Sequence, residues 1–247
     1  MELSKDCYIV CRGNNSKLRT QFSPTLDSRG CEIAVIGLST YYSYPNVNET
    51  NNVMWIAGPH HKDKIEFPKG CYEVSDISEV IRKKYGWFKD DKKDESKIIF
   101  AADPVTLRSH LTIKEAGIGD LRWWVIFPVK NSIGPLLGFD KEDWDFVGPG
   151  EWTSPNIANI QSVNNILVQC DIISGSSING RPAPVIFNYS PNVAAGNKIV
   201  AEPVVPIYLP VTVDHIHELN VWVTDQDNEL LDLQGEDLVV TFHMRAR

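Results

Sequence analysis

The stretch Asn165-Ile-Leu-Val-Gln-Cys-Asp-Ile-Ile-Ser174 decides the fold class, together with five pieces downstream of it. Those pieces are Ser176-Ser-Ile-Asn-Gly180, Pro184-Val-Ile-Phe-Asn-Tyr189, Val205-Pro-Ile-Tyr-Leu209, Glu218-Leu-Asn-Val-Trp-Val-Thr224 and Leu238-Val-Val-Thr-Phe-His-Met244. Each is short, rich in β-branched and aromatic residues, and bounded by Gly, Pro, Asn or Asp, as strands and their turns are. The last piece puts Leu238, Val240, Phe242 and Met244 on one face and Val239, Thr241, His243 and Arg245 on the other. That is the period-two pattern of a half-buried sandwich strand. Asp225-Gln-Asp-Asn228 reads as a hairpin turn.

Working outward, Cys7 to Arg12 predicts a first strand, Gly13 to Ser16 a turn, and Cys31 to Leu38 a strong β-branched strand. Ser39 to Asn52, aromatic and polar, predicts a structured loop. Val53 to Ile56 and Lys64 to Phe67 pair across a turn at His60-His61-Lys-Asp63. One helix is expected: Ser75 as its N-cap, Asp76 and Glu79 at its positive end, an Ile77, Val80, Ile81, Tyr85 stripe, and Gly86 as its stop. Lys89 to Lys97 predicts a charged loop. Strands are expected at Ile98 to Phe100, Thr106 to Ile113 and Trp123 to Phe127, and a short helical turn at Ser132 to Phe139. Asp140 to Pro155, with its Gly, Pro and Trp, predicts a linker or crossover. About a dozen strands and one helix make an all-β sandwich or barrel.

The chain has 247 residues, 43% of them hydrophobic and 23% charged, enough for a substantial core. Its formal net charge of −8 argues against direct nucleic-acid binding, which wants a basic surface. No apolar run approaches the roughly 20 residues of a membrane span. Met1-Glu-Leu-Ser-Lys-Asp lacks the apolar core of a signal peptide, so secretion by that route is not expected. The cysteine count of five is odd and no C-x-x-C spacing occurs, which predicts free, buried thiols in a reducing compartment. The sequons at Asn14, Asn48 and Asn188 carry no weight without a signal peptide.

Chemistry is sparse. His215-Ile-His217 is the sharpest metal candidate, since i, i+2 residues of a strand share a face. It is a weak one: a cupin-like site needs further spaced ligands, and only His243 comes later in the chain. Asp225, Asp227, Glu229 and Glu236 fall at calcium-loop positions, but Leu230 stands where such a loop needs Gly. No phosphate loop or nucleophile elbow is present. Catalytic residues, metal and cofactor are therefore all expected to be none. The tryptophans at 55, 87, 123, 124, 144, 152 and 222 suit core or interface packing, with a glycan platform as the alternative.

Several ordered motifs carry a resemblance. They are the loop ending in Asn51-Asn52, Phe67-Pro-Lys-Gly-Cys-Tyr-Glu-Val-Ser-Asp-Ile77, Asp103-Pro-Val-Thr-Leu-Arg-Ser109 and Asn131-Ser-Ile-Gly-Pro-Leu-Leu-Gly-Phe139. The C-terminal series completes the set: Cys170 to Ser176, Ile178-Asn-Gly180, Pro203 to Pro210, Asp225-Gln226 and Leu231-Asp-Leu-Gln-Gly-Glu236. In this order they resemble the minor capsid, penton-type proteins of Polinton/Maverick elements, adintoviruses and virophages, also found integrated in animal genomes as endogenous viral elements.

The resemblance implies an all-β jelly-roll β-sandwich with a small α/β insertion. Its core would be 1–67 and 141–247, with the helix-containing insertion at 68–140. The alternative is two small β-barrel modules in tandem, 1–147 and 148–247. It also implies a non-catalytic structural protein that forms a homo-oligomeric ring, a pentamer, beside a major capsid protein. The place would be the virion capsid, after assembly in cytoplasm or nucleus. A ring uses two different surfaces of each subunit. The aromatic segments with Tyr41, Tyr42, Tyr44, Trp144 and Trp152 are the interface candidates. A binding module for a glycan or receptor on the same fold is the main rival, and a metal-dependent β-barrel enzyme the third reading.

Overall fold

In the computed structural model, residues 6–58, 61–86, 96–115, 122–140 and 144–247 are described, Trp144 and Asp145 by their backbone alone. His60 of the expected turn and residues 89–95 of the expected charged loop lie outside them. The chain opens with three strands, β1 (Cys7–Gly13), β2 (Lys17–Asp27) and β3 (Cys31–Tyr41). Along β3 the large buried side chains are Cys31, Ile33 and Val35, then Leu38 and Thr40, with the small Ala34 buried on the opposite face. The parity changes because Val35 and Gly37 face consecutive partners on the last strand, leaving Ile36 as an extra residue. Such a bulge re-aims the strand without losing its buried face.

Residues 45–162 then form a unit of their own. It contains β4 (Val53–Gly58), β5 (His61–Glu66), α1 (Val74–Tyr85), β6 (Ile98–Ala102), β7 (Arg108–Ile113), β8 (Trp124–Phe127), a 3-10 turn (Gly134–Leu137), β9 (Trp144–Val147) and β10 (Gly150–Ile157). The strands make two sheets, β5-β4-β8-β9 and β10-β7-β6, around one core. Met54, Ile56, Val125 and Phe127 come from the first sheet; Phe100, Leu111 and Ile113 come from the second.

The helix shows its expected stripe: Ile77 and Ile81 are fully buried, and Val80 and Tyr85 pack against the same core. Burying each isoleucine stabilises by roughly 1.5–3 kcal/mol. Its start differs from expectation. Glu73, not Ser75, is the N-cap, and the Asp76 carboxylate accepts the Glu73 amide at 2.8 Å. An acidic residue in the first turn satisfies a free donor and complements the dipole. Gly86 closes the helix at φ 61°, a left-handed conformation that glycine adopts without penalty. Ser78 fastens α1 to the edge strand β6: its hydroxyl donates to the Phe100 carbonyl (3.0 Å) and accepts the Phe100 amide (2.7 Å). That covers an edge which would otherwise invite another strand.

The expected linker is instead two strands. β9 pairs with β8 and β10 with β7, the Gly148-Pro149 corner carrying the chain from one sheet to the other. The 3-10 turn ends on Gly138 at φ 83°, where a Cβ would lie 2.3 Å from the Asn156 carbonyl oxygen.

The return of the chain supplies β11 (Ile166–Cys170), β12 (Ser177–Ile178), β13 (Arg181–Pro182), β14 (Val185–Tyr189), β15 (Lys198–Ala201), β16 (Leu209–Pro210), β17 (His215–Thr224) and β18 (Leu238–Ala246). With β1–β3 they form the other unit, 1–44 and 163–247. One sheet runs β1-β18-β3-β15, with β16 also on β3; the other runs β14-β11-β17-β2. Number its eight principal strands along the chain. The first sheet then reads 1-8-3-6 and the second 5-4-7-2, and every connection but the fourth-to-fifth changes sheets. That is the winding of a jelly roll. Both sheets contribute to one core, with Ile33, Val240 and Phe242 from the first, and Ile166, Leu219 and Val223 from the second.

The strands form open sheets, and one unit is inserted in sequence between β3 and β11, so the tandem-barrel alternative is not what the chain adopts. The unit boundaries fall at 44/45 and 162/163. They lie outside the expected 68–140 because β4 and β5 pair with β8 and not with jelly-roll strands. Besides β9 and β10, strands β2, β13 and β15 stand where the sequence pattern predicts none. Val205 to Leu209, expected as a strand, pairs only at its end, in Leu209–Pro210.

Candidate functional site

The interface candidates separate by burial. Tyr42 and Tyr44 are 7% and 3% exposed, 5.1 Å apart between ring centroids, and belong to the jelly-roll core. They are core residues, not surface anchors, and burial pushes the Tyr44 phenol well above its ordinary range. Tyr41, at the end of β3, is exposed. Trp152 is half-buried, its ring 5.4 Å from Phe146 in the inserted unit. The Trp144 side chain lies outside the described residues.

His215 and His217 are both exposed on β17, as the i, i+2 spacing requires. His243 sits on β18, in the other sheet, so it is not brought to them. Among the described residues no group of His, Cys, Asp or Glu is arranged to hold a metal. The Asp225 carboxylate is engaged within its own turn, accepting the Asp227 and Glu229 amides at 2.9 Å each. None of the five cysteines forms a disulfide. Cys170, fully buried in β11, has its thiol pushed up to about 12 by desolvation, which leaves it an inert packing group. Among the described residues no helix is long and apolar enough to cross a membrane.

What the structure assembles instead is a pair of surfaces on the two sheets of the jelly roll. On the first sheet, His243 bridges Asp6 (2.6 Å) and the Tyr208 hydroxyl (2.7 Å), and the Tyr8 ring lies 4.9 Å away. The Arg245 guanidinium lies 3.6 Å over the Tyr208 ring and donates to Glu32 at 2.8 Å. This network pins Tyr208, and β15 and β16 fix the chain on either side to β3. Between them Val204, Val205 and Ile207 are 99%, 74% and 72% exposed. Large aliphatic side chains so displayed mark an interaction surface when they cluster.

On the second sheet, a cleft of ≈ 550 Å³ opens along β2 and β17. Trp222 and Leu230 line it with Lys17 and Arg19, while Leu18 and Val221, which border it, belong to the jelly-roll core. Arg19 pairs with Glu218 at 2.5 Å, which holds that carboxyl below its usual range. Neither surface was singled out from sequence. Pro203, Pro206 and Pro210 were the available signal, because proline withholds the donor a strand interior needs.

The inserted unit displays a smaller apolar knob. Asp103 accepts the Thr106 hydroxyl (2.6 Å) and the Val105 amide (2.8 Å), and these two bonds hold its carboxyl down at about 2. The turn leaves Leu107 at φ 58°, a costly conformation for a residue with a Cβ. Val105 and Leu107 are 87% and 58% exposed.

No protein-family model matches this sequence, and no curated protein does. Among solved structures, the fold is similar to the crystal structure of mavirus penton protein, with a TM-score of 0.51 and 13% sequence identity. The match covers 98% of this chain and 100% of that one. The likeness is therefore one of fold, and it is to a penton protein along almost the whole of both chains.

Proposed function

We infer that this protein is a structural, self-assembling minor capsid subunit, penton-like, forming the vertex of a Polinton- or adintovirus-like DNA virus or of its genome-integrated copy. One observation carries the reading: the jelly roll and its inserted unit together match a penton fold over nearly the full chain. The residues agree with it. The most conspicuous surfaces, an exposed aliphatic segment and a cleft beside Trp222, lie on opposite sheets. A subunit in a closed ring needs two different complementary surfaces, and a jelly roll offers its two sheets. Tyr41, Trp144 and Trp152 stay as further contact candidates. The partners are copies of the chain and a major capsid protein; the place is the virion, after intracellular assembly.

Size-exclusion chromatography with light scattering tests this. The expected result is a discrete ring with a pentamer's mass that grows with protein concentration. A monomer persisting at the highest soluble concentration would overturn the reading.

A further inference from the structure

We propose that the segment Glu202-Pro203-Val204-Val205-Pro206-Ile207 of one copy seats in the β2–β17 cleft of the next copy. The inference rests on the ring reading above and names the contact within it.

The segment is built to be presented. It is anchored at both ends to β3, pinned at Tyr208 by Arg245 and His243, and restricted by two prolines. Its ordering cost is thus largely met before binding, which favours affinity. Val204, Val205 and Ile207 are mostly exposed, and removing their apolar surface from water favours association.

The cleft is built to receive it. Proline-containing extended segments dock in grooves lined by aromatic rings, and the half-buried Trp222 and the exposed Leu230 line this one. Leu230 is itself 44% exposed. The ≈ 550 Å³ volume lies in the range of specific binding clefts. Charge agrees: Glu202 is exposed at the start of the segment, and Lys17 is exposed at the cleft.

The two features cannot meet in one chain. The segment is tied to β3 in one sheet of the sandwich, and the cleft lies on β2 and β17 of the other. The contact therefore runs from one copy to the next. Two unlike surfaces meeting this way make a heterologous interface, the kind that closes into a ring.

The experiment uses the full chain as wild type and four variants, with one peptide spanning residues 201–210. Val204→Asp/Val205→Asp alters only exposed positions and is expected to stay folded, by circular dichroism, while its assembly weakens at least tenfold by light scattering. The peptide is expected to bind that variant and not Leu230→Asp. Glu202→Lys is expected to weaken assembly, and adding Lys17→Glu to restore it. Wild-type assembly matched by the aspartate variant, or a peptide that binds neither form, overturns the docking inference and leaves the ring reading standing. A wild type that stays monomeric while its peptide binds the cleft sinks the ring reading alone.

Discussion

The jelly roll and the unit inserted in it close their cores by different means. Among the described residues, Phe242 is the one buried phenylalanine of the jelly-roll core, which is otherwise mostly Ile, Val and Leu. The inserted core holds Phe67, Phe100, Phe127, Phe139 and Phe146. Long alternating strands such as β3, β17 and β18 present many aliphatic residues to one plane, enough to fill the gap between two sheets. Strands of four to eight residues, as in the insert, present few each. There, large rings fill the space instead, because each buries more area per position.

Breaking each core separately tests whether they are separate. Phe127 is fully buried, stacked on Phe139 at 5.0 Å and edge-on to Phe146 at 5.9 Å. Phe127→Ala is expected to destabilise the insert by about 3–5 kcal/mol. Hydrogen exchange would show β4, β7 and β8 opening while β3 and β18 stay protected. Leu238→Ala, at a fully buried jelly-roll position, should do the reverse at about 2–5 kcal/mol. Equal loosening of both units by either variant would show one cooperative core.

A smaller effect is expected at the neck of the insert. Asn46, near its entry, donates to the Tyr72 carbonyl (2.8 Å) and to the Ile160 carbonyl near its exit (2.9 Å), and accepts the Tyr72 amide (2.8 Å). The side chain is nearly buried. It holds together the two ends that allow this unit to sit between consecutive strands of another. Asn46→Ala leaves buried partners unmet, which costs about 2 kcal/mol. The denaturation midpoint should fall accordingly, with exchange rising first around Tyr72 and Ile160. An unchanged midpoint would show that the neck is held by other groups.

These residues also show how far the chain's pattern reveals its fold. β18 and α1 were legible because their apolar residues keep a strict period, and burial tracks that period residue by residue. β2 was not. Lys17, Arg19 and Gln21 face outward, Pro24 interrupts it, and only Leu18 and Leu26 are deeply buried. Its pairing with β17 also shifts register between Ile216 and Glu218, so no simple alternation survives. Strands β9 and β10 hid around Gly148-Pro149, whose composition is that of a linker. At the candidate site, an aromatic run such as Tyr41 to Tyr44 says that rings will pack, but not against what. Tertiary position alone put Tyr42 and Tyr44 inside and left Tyr41 outside. The surface that most resembles a contact, Val204 to Ile207, reads as a strand in sequence because valine and isoleucine suit a buried strand and an exposed knob alike.

Helix α1 gives a further step down in magnitude. Asp76→Ala removes the acceptor of the Glu73 amide, an N-terminal loss of about 1 kcal/mol. Helical signals over Val74 to Ile77 in carbon chemical shifts should weaken, while the core at Ile81 keeps the rest. Full retention of those signals would show that Ser78 and the buried stripe suffice to hold the first turn.

The smallest effect is expected at the surface turn of Asp103. Its carboxyl is depressed to about 2, first by the Thr106 hydroxyl and then by the Val105 amide. A carboxyl depressed on folding supports its turn fully above the ordinary range near 4, and loses that support as pH falls through the depressed value. The Val105 amide should therefore keep its shift from neutrality down to about pH 3 and titrate with a midpoint near 2. Asp103→Ala should abolish that titration and release Leu107 from φ 58°, with the melting temperature almost unmoved because solvent screens a carboxylate at the surface. A midpoint near 4 would mean that the two bonds do not hold the carboxylate in solution. The Leu107 knob would then be a mobile loop, unlike the pinned segment at Tyr208, and the contrast between the two displays would sharpen.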